Sequence, residues 1–146
     1  MNEISEKKPL LARVKGAVLH RVRQWAKDLL LFRILPGEYR RAAKRPIQPG
    51  KVVFLENKEP AVPESFEVLY ERLSRVPELD VEFISLGETR VRLRQYYRNC
   101  IEAVRDLATA QCIFLNDASN VVSCLPLREG TKVVQLWHGC GAFKKW

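Results

Sequence analysis

Lys51-Val52-Val53-Phe54-Leu55 is the stretch on which the fold turns. The run is apolar without alternation and too short for a helix. It therefore reads as a buried strand. Three similar runs follow: Asp80–Leu86 with Val81, Phe83 and Ile84, then Gln111–Leu115, then Lys132–Leu136. Two segments of helical spacing separate the first three. Glu64–Arg75 places Phe66, Leu69, Tyr70 and Leu73 on one side, and Arg92–Ala110 does the same with Leu93, Tyr96, Tyr97, Ile101, Val104 and Leu107. Strands alternating with helices predict an α/β fold, a parallel sheet with right-handed crossovers. Asn116–Glu129 has room for a short helical turn before Pro126. No internal repeat or low-complexity segment interrupts the pattern.

Upstream of this body the composition changes. The chain has 146 residues and a net charge of +8. All of that excess lies in residues 1–50, which hold 12 Lys/Arg against 4 Asp/Glu, whereas residues 51–146 are balanced. From Pro9 a helix is expected, with Leu11, Val14, Val18, Val22, Trp25, Leu29 and Phe32 within an arc of roughly 80° on a helical wheel. Arg13, His20, Arg23 and Lys27 fall on the opposite side. Pro36-Gly37 is expected to stop the helix. A second basic cluster of Arg40, Arg41, Lys44 and Arg45 follows, and Pro46 and Pro49-Gly50 read as a linker. The chain thus divides into a basic amphipathic arm with its linker, residues 1–50, and an α/β domain, residues 51–146.

A basic helix with Trp and Phe on its apolar stripe suits an anionic membrane surface, which would engage Trp25, Phe32, Arg40, Arg41, Lys44 and Arg45. The same pattern fits a helix packed on its own domain with solvated basic residues. Nucleic acid is the weakest partner for it, because the body is neutral and carries no recognised binding motif. No apolar run reaches the roughly 20 residues that span a bilayer, and the first 30 residues lack a secretory core and cleavage site. The expected place is therefore the cytoplasmic face of the membrane, peripherally bound. Cys100, Cys112, Cys124 and Cys140 form no C-x-x-C and have no His at zinc spacing, so they read as reduced structural thiols.

In open parallel sheets ligands bind beyond the carboxyl ends of strands. That rule selects the loops after Leu55, Leu86, Leu115 and Leu136. The last is the most unusual: Leu136-Trp137-His138-Gly139-Cys140-Gly141-Ala142-Phe143-Lys144-Lys145. His138 directly after a strand could accept a proton from an attacking hydroxyl. Gly139 and Gly141 allow a ligand close to the backbone N–H groups, and Lys144 and Lys145 could hold a phosphate. On spacing alone the same residues also fit a structural histidine, a turn and a solvated basic face. The spacing is not that of a P-loop.

Val133-Val134-Gln135-Leu136-Trp137-His138-Gly139 followed by Gly141-Ala142-Phe143-Lys144-Lys145 resembles the signature loop of the CDP-glycerol glycerophosphotransferase family. The Lys51–Leu55 run and the Leu115-Asn116-Asp117 strand end are similar to that family's N-terminal domain. Many members carry a proline where this chain has Gly141. The resemblance implies a Rossmann-like, acceptor-side half of a glycosyltransferase-B-like enzyme. That enzyme would transfer glycerol phosphate from CDP-glycerol to a lipid-linked polyol-phosphate or glycan acceptor, releasing CMP. His138 would be the general base, Gly139, Gly141, Lys144 and Lys145 would bind phosphate, and no metal or other cofactor is implied. A donor-binding C-terminal domain is expected in such an enzyme, and Trp146 falls inside or just after the motif. The expectation is an N-terminal fragment, inactive alone. The alternative is a non-catalytic α/β remnant that binds membrane surfaces.

Overall fold

A computed structural model describes the backbone of residues 10–136 and the side chains of residues 16–136. The order of elements is α1 (Leu10–Leu29), a π-helical turn (Leu30–Ile34), α2 (Leu35–Ala42), β1 (Lys51–Glu56), α3 (Glu64–Ser74), β2 (Asp80–Ser85), α4 (Leu93–Leu107), β3 (Cys112–Leu115), α5 (Asn120–Ser123) and β4 (Lys132–Gln135). The four strands form one parallel sheet in the order β2-β1-β3-β4. The chain steps outward from β1 to β2, then returns to build β3 and β4 on the other side of β1.

Each sheet face has its own core. On one face Phe54 is fully buried and packs its ring on Phe66 at 5.0 Å, Tyr70 at 5.3 Å and Phe114 at 4.8 Å between centroids. These contacts seat α3 on β1 and β3. On the other face Val53, Leu55, Ile113 and Leu115 meet Cys100, Val104 and Leu107 of α4. Because β1 is covered on both sides, all six of its residues are buried, which is why its sequence shows no polar alternation. Gly50 enters β1 at φ +80°, and a Cβ there would lie 2.4 Å from the Glu78 carbonyl oxygen, so only glycine fits this turn.

The helix expected to stop at Pro36-Gly37 does not stop there. It continues through a π turn, in which the Leu35 N–H donates to the Leu30 carbonyl, and α2 starts with Pro36 in its first turn. Proline cannot donate a hydrogen bond and its ring crowds the carbonyl four residues earlier. One wider turn removes that conflict without ending the helix.

The helical region has one buried side and one exposed side. Leu30, Leu31, Leu35, Tyr39 and Ala42 are buried in the α4-side core. The stripe chosen by periodicity is exposed instead, with Trp25 at 66% and Phe32 at 69%. Val18 and Val22 are also more than half exposed. The positions Leu11, Val14 and Arg13 lie outside the described side chains.

Arg128 ties the end of this helical region to the domain. Its guanidinium donates to the carbonyls of Ala43 (2.9 Å) and Arg45 (2.7 Å), and its backbone N–H donates to the Tyr39 hydroxyl (3.3 Å). Cys100, Cys112 and Cys124 are free thiols. Burial pushes the Cys100 thiol up to about 11. Among the described residues no helix is long and apolar enough to cross a membrane.

Candidate functional site at the carboxyl edge of the sheet

The crevice beyond β1 and β3 is where the strand order reverses, the place at which open parallel sheets bind ligands. Its floor is a polar network. Glu56, the last residue of β1, is 5% exposed. Its carboxylate accepts the backbone N–H of Lys58 (3.0 Å), that of Glu59 (3.4 Å) and the side-chain amide of Asn116 (2.9 Å). The Ser65 hydroxyl donates to the Asn116 side-chain oxygen (2.5 Å), and the Asn57 amide donates to the Ala118 carbonyl (3.1 Å). These bonds join the loops after β1 and β3 to the start of α3. A carboxylate so occupied by donors fixes the course of the loops that shape the crevice.

The loop after β2 is tied into the same edge. The Leu86 N–H donates to the Glu56 carbonyl (2.9 Å), the Glu88 N–H donates to the Asn57 carbonyl (2.7 Å), and Arg90 pairs with Glu59 (2.8 Å). Gly87 turns this loop at φ +68°. The buried Ser119 hydroxyl, in the loop after β3, has no hydrogen-bond partner among the described residues.

β4, which carries the first residues of the signature motif, ends at this edge. The Leu136 N–H donates to the Leu115 carbonyl (2.9 Å), so the backbone leaves the sheet directly beside the end of β3. His138, Gly139, Gly141, Lys144 and Lys145, together with Cys140, lie outside the described residues. Val133, Val134 and Leu136 are each more than a third exposed.

α1 lies along the start of α4 with an inverted polarity. His20, Arg23, Gln24 and Lys27 line a groove of about 190 Å³ with Leu93 and Tyr97. A second depression of about 290 Å³ continues it past Lys27 to Glu88, Val91 and Tyr96. The polar side of α1 thus faces α4, and the Trp25 side faces away. Arg40, Arg41, Lys44 and Arg45 are all exposed; Arg41 pairs with Glu38 (3.0 Å), and Arg45 donates to the Arg105 carbonyl (3.4 Å). Sequence reasoning missed Glu56 and the Arg92–Arg98 surface at the start of α4. The signals available were a carboxylate closing a buried strand and three arginines within seven residues.

A parallel sheet with a polar crevice at its reversal point makes this a Rossmann-like α/β protein. Residues 38–146 match the family described as CDP-Glycerol:Poly(glycerophosphate) glycerophosphotransferase, and the chain belongs to that family. It is 31% identical over 122 residues to the teichoic acid ribitol-phosphate primase of Bacillus spizizenii, which covers 79% of this chain and 31% of the primase. It is 31% identical over 99 residues to the teichoic acid poly(ribitol-phosphate) polymerase of the same organism, covering 68% of this chain and 16% of the polymerase. The chain therefore spans about a third or less of the curated relatives it matches.

Proposed function

We propose that this chain forms the acceptor-side part of a polyol-phosphate transferase, in the glycosyltransferase-B-like arrangement, that works at the cytoplasmic face of the cell membrane. The single observation that supports this is that β4, which carries the first residues of the signature motif, ends at the carboxyl edge of the sheet beside the end of β3, next to the Glu56–Asn116 crevice. The donor is CDP-glycerol and the acceptor a lipid-linked polyol phosphate or glycan. An acceptor hydroxyl attacks the phosphorus that bears the glycerol, and the bond from that phosphorus to the bridging oxygen breaks. CMP leaves with the bond's electron pair. His138 takes the hydroxyl proton, while Lys144 and Lys145, with the N–H groups at Gly139 and Gly141, hold the phosphates. Ribitol phosphate is the second reading for the transferred group, favoured by the names of both relatives.

The exposed Trp25 and Phe32, with the four basic residues after the π turn, hold the arm on anionic lipid where such acceptors reside. A domain that binds the nucleotide donor completes the site, so residues 1–146 alone do not transfer. The test is a transfer assay with radiolabelled CDP-glycerol, and separately CDP-ribitol, on lipid-linked acceptors. It compares this chain with the chain continued by the coding sequence that follows it. Product from the continued protein alone supports the proposal; CMP release by residues 1–146 alone overturns the need for a second domain. A folded continued protein that uses neither donor leaves the non-catalytic membrane-binding α/β reading.

A further inference from the structure

The start of α4 carries a concentration of unneutralised charge. Arg92, Arg94, Gln95 and Arg98 line a depression of about 460 Å³. Arg92 caps the helix by its backbone alone, and no acidic residue occupies the first turn. The Arg92 and Arg94 side chains make no hydrogen bond or ion pair among the described residues. Three arginines therefore line one depression at the helix end where the dipole is also positive, which favours an anion there. Nearby Arg90 differs, since Glu59 neutralises it at 2.8 Å.

The pocket is also braced from beneath. The Arg98 guanidinium donates to the Gln95 side-chain oxygen (2.6 Å), Gln95 donates to the Asn99 oxygen (2.7 Å), and Asn99 donates to the Leu86 carbonyl (3.0 Å). Leu86 is fully buried at the end of β2. This relay links the exposed Arg98 side chain, through Gln95 and Asn99, to the end of β2. Its nearest carboxylate, Glu102, is 4.0 Å away and equally exposed, too weak a partner to discharge it.

We propose that the Arg92–Arg94–Arg98 pocket is a binding site for a phosphate or pyrophosphate group. Guanidinium forks match phosphate oxygens in pairs, and several around one pocket select a multiply charged oxyanion over a single carboxylate. The pocket lies on the carboxyl side of the sheet, reached by the loop after β2. A phosphorylated head group bound here sits beside the α1–α4 groove. Its attribution to the acceptor rests on the proposed function; the phosphate chemistry does not.

The test uses the full chain and inorganic pyrophosphate, titrated by calorimetry at fixed salt. Arg94→Ala combined with Arg98→Ala should weaken pyrophosphate binding about tenfold or more. Arg94→Lys with Arg98→Lys should fall between, because charge survives and the fork is lost. All three side chains are exposed, so circular dichroism should show the fold unchanged. Sedimentation with phosphatidylglycerol vesicles separates the sources. Weakened pyrophosphate binding with unchanged vesicle binding assigns the site to a free or acceptor-borne phosphate. Weakening of both assigns it to a lipid headgroup phosphate. Absence of pyrophosphate binding in the parent chain, or equal binding in the double alanine variant, overturns the proposal. Because no turnover is read, failure here leaves the transfer reading standing, and failure of the transfer assay leaves this site standing.

Discussion

The side-chain amide of Asn116 donates a hydrogen bond to the carboxylate of Glu56 at 2.9 Å, joining the ends of β3 and β1 across 60 positions of chain. Glu56 also receives two backbone N–H groups, so one carboxylate sets the course of the loop after β1. Glu56→Ala should therefore lower stability by about 1–3 kcal/mol, the cost of leaving buried donors without an acceptor. Urea unfolding measures it. A midpoint equal to that of the parent would mean water replaces the carboxylate without loss.

The Arg128 side chain holds the carbonyls of Ala43 and Arg45, which end the helical region before β1. Arg128→Lys keeps one charge and loses the planar fork. It should cost about 1–2 kcal/mol, and hydrogen exchange should quicken in residues 35–42 before the sheet is affected. Uniform exchange across both regions would show that the contact does not restrain that helix separately.

Trp25 and Phe32 are mostly exposed, so replacing both with Ala should leave the unfolding midpoint within experimental error. Binding to anionic vesicles should drop by roughly tenfold or more, since each ring buried in the interface is worth about 1.5–3 kcal/mol. Reversing Arg40, Arg41, Lys44 and Arg45 to Glu should release the protein further. A quadruple variant that still pellets with the vesicles removes the electrostatic part of the membrane reading.

Cys100 gives a pH signature. Burial is the largest cause of its raised pKa, with a hydrogen bond from Tyr96 acting the other way. The folded value of about 11 exceeds the ordinary thiol value of 9.0, so the folded state keeps its proton after the unfolded chain has lost it. Stability from this group is fully present below pH 9 and is lost as pH rises toward 11, on the order of 2 kcal/mol in all. Tyr96 is shifted upward as well, mainly by burial, and adds a loss in the same direction at higher pH. Unfolding midpoints measured between pH 8 and 11 should fall less steeply in Cys100→Ala than in the parent. Parallel slopes would remove the thiol from this dependence.

His138→Ala, made in the continued protein, should lower turnover about 10²–10⁴-fold with the fold intact, as expected for loss of a general base. The rate profile against pH should lose its acidic limb. Near-parent turnover would take His138 out of the mechanism.

Most of the sheet was legible because its strands are buried in a way that leaves a mark on composition. β1 is covered on both faces and is apolar from Val52 to Leu55, while α3 and α4 each show one apolar side. The helix break expected at Pro36-Gly37 failed because a π turn relieves the proline locally, and residue pattern does not distinguish a broken helix from a widened one. The crevice was legible only as a set of loops. Glu56, Asn116 and Ser65 are separated by up to 60 positions, and nothing in their neighbours links them.

The sequence by itself determined the alternation of strands and helices, the basic bias of the first 50 residues and the signature loop after the last strand. These are local properties, set by burial period, charge and spacing. Only the tertiary structure decided which side of the first helix is covered. Leu30, Leu31, Leu35 and Tyr39 are buried in the core beside α4, leaving Trp25 and Phe32 outside, because the packing partner of a helix face lies far away in sequence. It also decided that three arginines at the start of α4 share one pocket. Their charges are visible in sequence, but that the Arg92 and Arg94 side chains have no ion-pair partner among the described residues is a property of distances across the fold.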